Sequence, residues 1–397
     1  MQLKSLQDAD LKGKKVVARF DFNVPLTKTE PRTITDSSRI DLALPTIKMI
    51  LEKGASKLVL ISHLGRPDGH PDPKYSLEPV AEYLAAKLNT DVILSESPVD
   101  NGVKNLLQLP ETKIVLLENI RFHPGEEKND PELAEKLAQY GDVYVNDAFG
   151  AAHRKHSSTH AINAFFKGRA FAGLLMKKEI DSLGTLLEKP AKPFVAVIGG
   201  AKVSDKIKTI EKMLVLVDSL LIGGAMAYPF LKAKGIEVGK SLCSDEDVAL
   251  AKQLIAADKG SKIQLPKDHV TAREFGGAPL DCSAQAIPAD QMGLDIGPVT
   301  VKSFSEQIKS AKTIFWNGPM GLFENKDFSQ GTMSVAHAMA QSKAFTVVGG
   351  GDSVAAVQQS GAADKFSHVS TGGGASLEFI EKGDLPGVQA LKMGVSL

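Results

Sequence analysis

Short runs of β-branched and aliphatic residues recur along this chain, separated by longer amphipathic segments. Such runs are typical of buried parallel strands, and the segments between them are long enough for crossover helices. The rhythm stops once and restarts, which predicts an α/β fold of two Rossmann-like domains, each with a parallel sheet flanked by helices. The runs are Val16–Ala18, Leu58–Ile61, Val92–Leu94, Ile114–Leu117 and Val143–Val145 before the break, and Phe194–Ile198, Ser219–Ile222, Thr313–Trp316 and Phe345–Val348 after it.

The break contains a segment that predicts an interdomain helix and hinge. In Leu174–Glu188 the apolar residues fall roughly on one helical face, and Lys189–Pro193 carries two prolines that end the helix. A chain of 397 residues is consistent with two or three domains. The last residues, from Leu377 onward, are too few for a domain, so we expect them to pack on one already formed.

Composition excludes several classes of protein. The 47 basic residues balance 47 acidic ones, so no overall field favours nucleic acid or anionic lipid. The two cysteines, Cys243 and Cys282, are far apart, which is typical of a reducing compartment without disulfides. No segment approaches the length of a membrane span, and the first residues lack the apolar core of a signal peptide. We therefore expect a cytoplasmic protein.

Arginine and histidine residues follow the apolar runs of the first half. Ligands of open parallel sheets bind beyond the carboxyl ends of the strands, and guanidinium groups suit carboxylates and phosphates. Taken singly, each arginine is better explained by a surface ion pair. Their recurrence, with Asp21 and Asn23 two apart to hold a hydroxyl, favours a small, anionic, hydroxylated ligand. The cationic positions are Arg19, Arg39, His63, Arg66, Arg121, His153 and Arg154.

Three histidines in this half have a spacing that would suit zinc on a helical face. His153, His156 and His160 are three and four residues apart. No carboxylate or thiolate accompanies them, and Arg154 and Lys155 between them would repel a cation. We therefore reject a zinc site.

Glycine clusters follow the apolar runs of the second half. Glycine lets the backbone approach a phosphate and expose its amides, an effect strengthened where a helix begins. Tight strand-to-helix turns explain any one cluster equally well, but explain so many in one half poorly. In the first cluster we expect Lys202 and Lys206 on one helical face. The clusters are Gly199–Lys202, Gly223–Gly224, Gly349–Asp352 and Gly372–Gly374.

Two acidic residues near these clusters suggest a nucleotide ligand. Asp352 is the best candidate for Mg²⁺, which usually takes one or two protein carboxylates, although a helix N-cap is an equally good role for it alone. Glu324 suits ribose hydroxyls. The segment Gly235–Ser241 imitates a Walker A loop but is one residue short, and no GxGxxG motif is present. The ligand would therefore be bound without either familiar motif.

Several segments, in order, resemble the phosphoglycerate kinase family across essentially the whole chain. They are Arg19–Pro25, Ser62–Pro67, Asn146–Gly150, Ala152–Arg154, Gly199–Val203, Trp316–Pro319, Gly349–Asp352 and Ser370–Gly374. Two departures stand out: the stretch Leu26–Arg39 is longer than in many members, and Ser353 replaces a frequent threonine but keeps the hydroxyl. The resemblance implies reversible phosphoryl transfer between ATP and the carboxylate of 3-phosphoglycerate.

The resemblance also implies a domain division and a set of site residues. Residues 1–172 would bind phosphoglycerate, 173–189 form the interdomain helix, 190–376 bind nucleotide, and 377–397 pack back on the first domain. The phosphoglycerate residues would be Asp21, Asn23, Arg39, His63, Leu64, Gly65, Arg66, Arg121 and Arg154. The nucleotide residues would be Gly200, Ala201, Lys202, Lys206, Gly224, Leu294, Asn317, Pro319, Gly321, Glu324, Gly350, Gly351, Asp352 and Ser353, with Mg²⁺ on Asp352.

The chemistry of that reaction agrees with what the chain lacks. A carboxylate nucleophile is ionised at neutral pH, so no general base is needed, and the sequence offers no convincing one. We expect Arg39, Lys202 and Gly373 to be catalytic, with hinge bending near 173–193 and 371–380 excluding water. The resemblance further implies a monomer acting on small molecules, without nucleic acid or membrane.

The sequence disfavours two alternative functions. An NAD-dependent dehydrogenase on two α/β domains lacks support because the dinucleotide motif is missing. A catalytically inactive relative acting as a binding protein is disfavoured because Lys202, Asp352, Glu324 and the cationic residues are intact.

Overall fold

The structure is a computed structural model that describes residues 3–258 and 261–395. Its contacts divide the chain into two compact units. Unit one consists of the residues up to Asp181 together with those from Asp384 onward, and unit two is Ser182–Gly383. The chain therefore enters unit two and returns to unit one near its end.

Unit one is built on six parallel strands in the order β3-β4-β2-β1-β5-β6. Residues in the central strands β1, β2 and β4 are almost all buried, as expected for strands covered by helices on both faces. The strands are β1 Lys15–Arg19, β2 Lys57–Ile61, β3 Val92–Leu94, β4 Ile114–Leu116, β5 Val143–Asn146 and β6 Ala170–Ala172. The helices are α1 Ser38–Glu52, α2 Glu78–Leu88, α3 Asn101–Leu106, α4 Pro131–Ala138 and the first part of α5 Leu174–Glu188.

Unit two repeats this plan with six parallel strands and adds a small antiparallel sheet. The parallel order is β15-β14-β13-β7-β8-β9, and the antiparallel order is β11-β10-β12. The strands are β7 Phe194–Ile198, β8 Ser219–Ile222, β9 Ile263–Gln264, β10 His269–Ala272, β11 Leu280–Cys282, β12 Met292–Ile296, β13 Thr313–Asn317, β14 Phe345–Val348 and β15 His368–Val369. The helices are α6 Ile207–Leu216, α7 Ala227–Ala233, α8 Asp245–Ala257, α9 Pro298–Ser310, α10 Gln330–Gln341, α11 Gly351–Gln359 and α12 Gly374–Lys382.

The last helix, α13 Pro386–Met393, belongs to unit one. The Gly387 amide donates to the Ala152 carbonyl at 2.9 Å. Leu385, Val388 and Leu391 are buried. This short helix therefore completes the core of the unit in which the chain began.

The register of the parallel strands brings their carboxyl ends to one edge of each sheet. In unit one, Arg19 at the end of β1 pairs with Ile61 of β2 and Asn146 of β5. In unit two, Ile198 at the end of β7 pairs with Asn317 of β13 and Ile222 of β8. Each edge therefore gathers the loops that follow several neighbouring strands.

The predicted α/β class with two parallel sheets is confirmed, and the predicted connector helix forms as α5. The antiparallel sheet was not predicted, because its strands are short and their pairing is not local. The predicted domain limits stay predictions: the compact units divide at Asp181 within α5 and at Asp384. Residues 1–2, 259–260 and 396–397 of the predicted domains lie outside the described residues. No helix in the described ranges is long and apolar enough to cross a bilayer.

Candidate functional site

Four loops of unit one carry most of the predicted phosphoglycerate residues, and they follow four adjacent strands. The sheet order places β4, β2, β1 and β5 side by side. Arg121 follows β4, His63 and Arg66 follow β2, Asp21 and Asn23 follow β1, and Arg154 follows β5. The fold thus collects the predicted phosphoglycerate residues at one edge of one sheet.

Asp21 binds Arg39, which lies in the first turn of α1. Arg39 Nη1 donates to Asp21 Oδ2 at 2.8 Å, and the Arg39 side chain is 40% exposed to solvent. Burial alone would raise the pKa of the Asp21 carboxyl, but the guanidinium groups of Arg39 and Arg19 and a hydrogen bond from the Asn23 amide hold it below its ordinary value. This ionised aspartate fixes Arg39 while leaving part of its guanidinium accessible.

The loop after β2 is held by neighbouring polar side chains. The Asn119 side chain forms two hydrogen bonds with the backbone of Leu64. Its Oδ1 accepts from the Leu64 amide at 3.3 Å, and its Nδ2 donates to the Leu64 carbonyl at 2.7 Å. Asn23 Oδ1 accepts from the Gly65 amide at 2.9 Å. Arg121 Nη1 donates to the Gly65 carbonyl at 2.8 Å. These residues therefore shape the loop as well as facing the edge.

Arg66 and Arg154 differ from the other cations because they are exposed. Among the described residues, Arg66 forms no ion pair or side-chain hydrogen bond. Arg154 Nε donates to His153 Nε2 at 3.2 Å and forms no ion pair with a described carboxylate. Two guanidinium groups without carboxylate partners are well suited to bind an anionic ligand.

Arg19 does not occupy the position expected for a ligand-binding arginine. Its side chain is fully buried. Its guanidinium contacts the Phe20 carbonyl, the Ser158 hydroxyl and the His63 ring. The run of apolar residues before Arg19 gave no sign that this particular arginine ends inside the core. Arg19 therefore contacts the candidate site residue His63 from the protein interior and does not face a ligand itself.

The three histidines at helical spacing do not lie on a helix. His153, His156 and His160 fall in turns between two short 3₁₀ helices, Phe149–Ala151 and Ala161–Phe165. His156 is buried, and burial lowers its pKa to about 3, assisted by nearby arginines. A face of three imidazoles is therefore not formed here.

Unit two has a cavity of about 320 Å³ at the carboxyl edge of its parallel sheet. It gathers eight of the predicted nucleotide residues: Gly200, Ala201, Gly224, Leu294, Pro319, Gly321, Glu324 and Asp352. Its remaining wall was not predicted and is largely apolar: Ala225, Leu242, Phe275, Met292, Gly293 and Leu322. Leu242 and Phe275 are unusually exposed apolar residues, yet nothing in the sequence alone distinguishes them from core positions. A flat apolar ligand group suits this wall.

The predicted helical face carrying Lys202 and Lys206 is wrong. Helix α6 begins at Ile207, and Lys206 is its N-cap residue, so both lysines lie in the preceding loop. Residues 204–206 form a turn rather than helix, and no side chain caps the first turn of α6. Lys202 is exposed, and its side chain forms no hydrogen bond or ion pair with the residues described.

The Lys206 side chain is partly buried and lies among the glycine loops. Its Nζ donates to the Asn317 carbonyl at 3.3 Å. Burial lowers the pKa of Lys206 to about 8, and the carboxylates of Asp352 and Asp205 oppose this shift only in part. A further anion beside Nζ would therefore stabilise its protonated form.

Asn317 and Ser353 tie two of the glycine loops together. Asn317 Nδ2 donates to the Gly349 carbonyl at 2.6 Å, and the Gly318 amide donates to Ser353 Oγ at 2.5 Å. Asn317 Oδ1 is buried and has no hydrogen-bond partner within the described parts of the chain. Buried acceptors are normally satisfied, so this oxygen is suited to a donor that arrives with a ligand.

Asp352 lies in the first turn of α11 but does not cap it. The N-cap residue is Gly350, with φ of 90°, so the helix-cap alternative for Asp352 is wrong. Asp352 is exposed and lines the cavity. Gly373 is the N-cap residue of α12, with φ of 52°. Two helix N-termini therefore face the loops of this edge, and both favour negative charge.

The glycines of unit two serve two different purposes. A Cβ on Gly199 would collide with the Pro319 carbonyl, and one on Gly224 would collide with the backbone of Gly200. A Cβ on Gly351 or Gly373 would meet no atom within 4 Å. The first pair allows the loops to pack closely, whereas the second pair leaves open space for a ligand.

This difference generates a matched prediction. Gly199→Ala should lower the free energy of unfolding by about 1–3 kcal/mol, because the methyl group overpacks against backbone. Gly351→Ala should leave it unchanged or raise it by about 0.4–1 kcal/mol, because the unfolded chain loses freedom. Urea denaturation of both variants measures this. Equal destabilisation by the two substitutions would contradict the distinction between packed and open glycines.

Comparisons with known proteins match the chain to one family. A family model described as phosphoglycerate kinase matches residues 6–383. A curated phosphoglycerate kinase of Anaeromyxobacter sp. (strain Fw109-5) is 53% identical over 403 residues, covering 99% of this chain and 100% of the relative. One of Koribacter versatilis (strain Ellin345) is 52% identical over 404 residues, covering 98% of this chain and 99% of the relative.

Solved structures give the same result. The chain resembles phosphoglycerate kinase from Coxiella burnetii with a TM-score of 0.89 and 40% identity, covering 98% of each chain. It resembles phosphoglycerate kinase from Pyrococcus horikoshii OT3 with a TM-score of 0.82 and 31% identity, covering 99% of each chain. Sequence and structure therefore match one family over nearly the full length.

Proposed function

The chain belongs to the phosphoglycerate kinase family. We propose how two groups of residues, the cationic group at the sheet edge of unit one and the glycine loops at the sheet edge of unit two, carry out the family's reaction. The enzyme transfers a phosphoryl group reversibly between ATP and the carboxylate of 3-phosphoglycerate, forming ADP and 1,3-bisphosphoglycerate. In glycolysis this step generates ATP. The full-length family match carries this assignment, and the two clusters account for the chemistry.

Unit one binds 3-phosphoglycerate in this proposal. Exposed Arg66 and Arg154 and half-exposed Arg39 supply positive charge for the phosphate and carboxylate. The ionised Asp21 accepts from the substrate hydroxyl. The loop of His63, Leu64 and Gly65, held by Asn23 and Arg121, supplies further donors.

Unit two binds the nucleotide. The apolar cavity wall takes the adenine, and Glu324 accepts from ribose hydroxyls. The phosphates lie toward Lys206 and the N-terminus of α11, at Gly350–Ser353. The unpartnered Asn317 Oδ1 is an acceptor, so it is available to a donor group that arrives with the nucleotide and not to the phosphate oxygens themselves.

The residues present fit a magnesium ion bound together with the nucleotide. Asp352 offers one exposed carboxylate at the cavity, and the parts of the chain described hold no cluster of three or more His, Cys, Asp or Glu residues. Mg²⁺ ordinarily takes one or two carboxylates and completes its shell with phosphates and water. When bound, it would neutralise phosphate charge.

Positioning and charge neutralisation perform the transfer. The substrate carboxylate is already ionised, so no side chain must remove a proton before attack on the γ-phosphorus. As that bond forms, the bond to the ADP oxygen breaks. Lys202 and Arg39 stabilise the migrating phosphoryl group, and the α12 N-terminus at Gly373 adds backbone donors.

Removal of Lys202 tests the proposed reaction and its site together. Purified protein given MgATP and 3-phosphoglycerate should produce ADP at a saturable rate, with the acyl phosphate removed by a coupled dehydrogenase. Lys202→Ala should lower kcat by about a thousandfold, because a cation at the phosphoryl group is lost. Lys208→Ala, which removes an exposed lysine of α6, is the matched control and should leave kcat unchanged.

The other outcomes are equally informative. Full activity of Lys202→Ala would remove Lys202 from its proposed role but leave the kinase. No turnover by the unmodified protein would favour an inactive relative, and hydride transfer with NAD would favour a dehydrogenase.

Nucleotide binding should take up protons through Lys206. The pKa of Lys206 is about 8 in the ligand-free chain, and phosphate anions beside Nζ should raise it. At pH 8, binding of ADP should therefore take up about half a proton, and affinity should weaken as pH rises further. Calorimetry in Tris and HEPES, which differ in ionisation enthalpy, measures this uptake. Lys206→Arg stays protonated and should abolish it; identical apparent enthalpies for the unmodified protein would contradict the proposal.

We also propose that bending near 173–193 and 371–380 excludes water during transfer, since an acyl phosphate hydrolyses readily. Small-angle scattering should show a smaller radius of gyration with both substrates than with either alone. Its forward intensity should match one chain of 42.3 kDa, as expected for a monomer. No compaction would contradict hinge closure.

The balanced charge and unpaired cysteines support a cytoplasmic enzyme acting on small molecules, without nucleic acid or membrane.

A further inference from the structure

Arg19 is a buried cation in contact with a proposed substrate residue. Its Nη2 lies 3.1 Å from His63 Nδ1. Its Nε donates to Ser158 Oγ at 2.9 Å, and its Nη1 contacts the Phe20 carbonyl. The guanidinium is thus held on three sides by protein atoms, so its position relative to the His63 ring is fixed.

The contact with Arg19 determines which nitrogen of His63 carries the hydrogen. A guanidinium has only donors, so His63 Nδ1 must accept. In a neutral imidazole whose Nδ1 accepts, the hydrogen is on Nε2. Among the described residues, His63 Nε2 has no hydrogen-bond partner, so its N–H remains available to a ligand.

The surroundings of His63 favour the neutral ring. Burial holds the pKa of His63 well below its ordinary value, opposed by Asp21 and reinforced by Arg19, Arg121 and Arg39. A protonated ring would also direct an Nδ1–H at the guanidinium, placing two donors face to face. Geometry and charge therefore agree on a neutral ring at neutral pH.

The Arg19 charge is itself balanced inside the protein. The Ser158 hydroxyl accepts from Arg19 and donates to Glu126 Oε1 at 2.6 Å, and the Ser158 amide donates to Glu126 Oε2 at 2.9 Å. Glu126 is fully buried. A buried arginine and a buried glutamate thus share one hydroxyl, which makes the cation tolerable in the core.

We propose that Arg19 is a positioning residue that holds His63 as the neutral Nε2–H tautomer, so that His63 donates to bound 3-phosphoglycerate. The inference rests on the proposed function for the identity of the ligand. Arg19 does not touch the substrate, and it acts only through His63. An aspartate in its place would accept rather than donate and would select the opposite tautomer.

The tautomer is measured directly in the ligand-free protein. Two-dimensional ¹H–¹⁵N multiple-bond spectra of the ¹⁵N-labelled chain, with His63→Gln to assign the ring, should show His63 protonated on Nε2 alone. The ring should not titrate between about pH 5.5 and 8, around the ordinary histidine pKa. An Nδ1–H tautomer, or a protonated ring at pH 7, would overturn the inference whether or not the protein is a kinase.

Substitution of Arg19 tests the positioning role. Arg19→Met combined with Glu126→Gln removes both buried charges, and the new amide can bond to Ser158. The variant should show a mixture of His63 tautomers and a ring that titrates at higher pH. The KM for 3-phosphoglycerate should rise about tenfold, the loss expected for one hydrogen bond to a charged group, with a smaller change in kcat. Unchanged tautomer and KM would overturn the proposal.

A conservative variant separates positioning from simple stability. Arg19→Lys keeps a cation that only donates, so it should retain the Nε2–H tautomer and most of the affinity for 3-phosphoglycerate. Conversion to the Nδ1–H tautomer in this variant would overturn the inference. If the double variant fails to fold, the spectra of the unmodified protein and of Arg19→Lys still decide the matter. Absence of turnover in the unmodified protein would instead contradict the proposed function and leave the tautomer assignment standing.

Discussion

The parallel register of the two sheets is the constraint on which both clusters depend. In a parallel sheet, the chain must cross back to the starting end before the next strand begins. The loops that follow the strands of one sheet therefore all emerge at the same edge. In unit one, Arg19, Ile61 and Asn146 end three neighbouring strands in register. A slip by one residue would turn these side chains to the opposite face and separate the loops that hold Asp21, His63 and Arg154.

The two edges use this common plan with different chemistry. In unit one, the edge carries mostly charged and polar side chains, and buried polar groups such as Asn119 and Arg19 hold the loops and side chains of that edge. In unit two, the edge is rich in glycine backbone, and the loops approach so closely that Gly199 and Gly224 have no room for a side chain. Side chains suit a small ligand with distinct charged groups, whereas backbone amides suit a chain of phosphates.

Much of the fold could be predicted because its strands are locally encoded. The apolar run Phe194–Ile198 and the connector Leu174–Glu188 are recognisable without knowing what they contact. The antiparallel sheet could not be predicted, because strands as short as Leu280–Cys282 gain their stability from partners distant in sequence. The same reason explains why the apolar cavity wall at Leu242 and Phe275 was missed.

For the site, residue types and order were predictable but not the surroundings of each residue. The cationic and glycine clusters lie together within their own units, as their positions after strands suggested. The sequence could not distinguish the buried Arg19 from the exposed Arg66, because both follow apolar runs and only tertiary packing separates them. The prediction of Lys206 on a helix is wrong for a similar reason, since the sequence after the glycine pair does not specify where α6 starts.

Trp316 is the only tryptophan in the chain, and it immediately precedes Asn317 and Gly318. Its side chain is fully buried, and its indole Nε1 donates to the Gly318 carbonyl at 2.8 Å. The indole chromophore is therefore hydrogen-bonded to the loop that follows β13, one of the loops around the cavity of unit two. Tryptophan emission from this protein is a local optical signal of that loop, and it carries no direct information about the sheet of unit one.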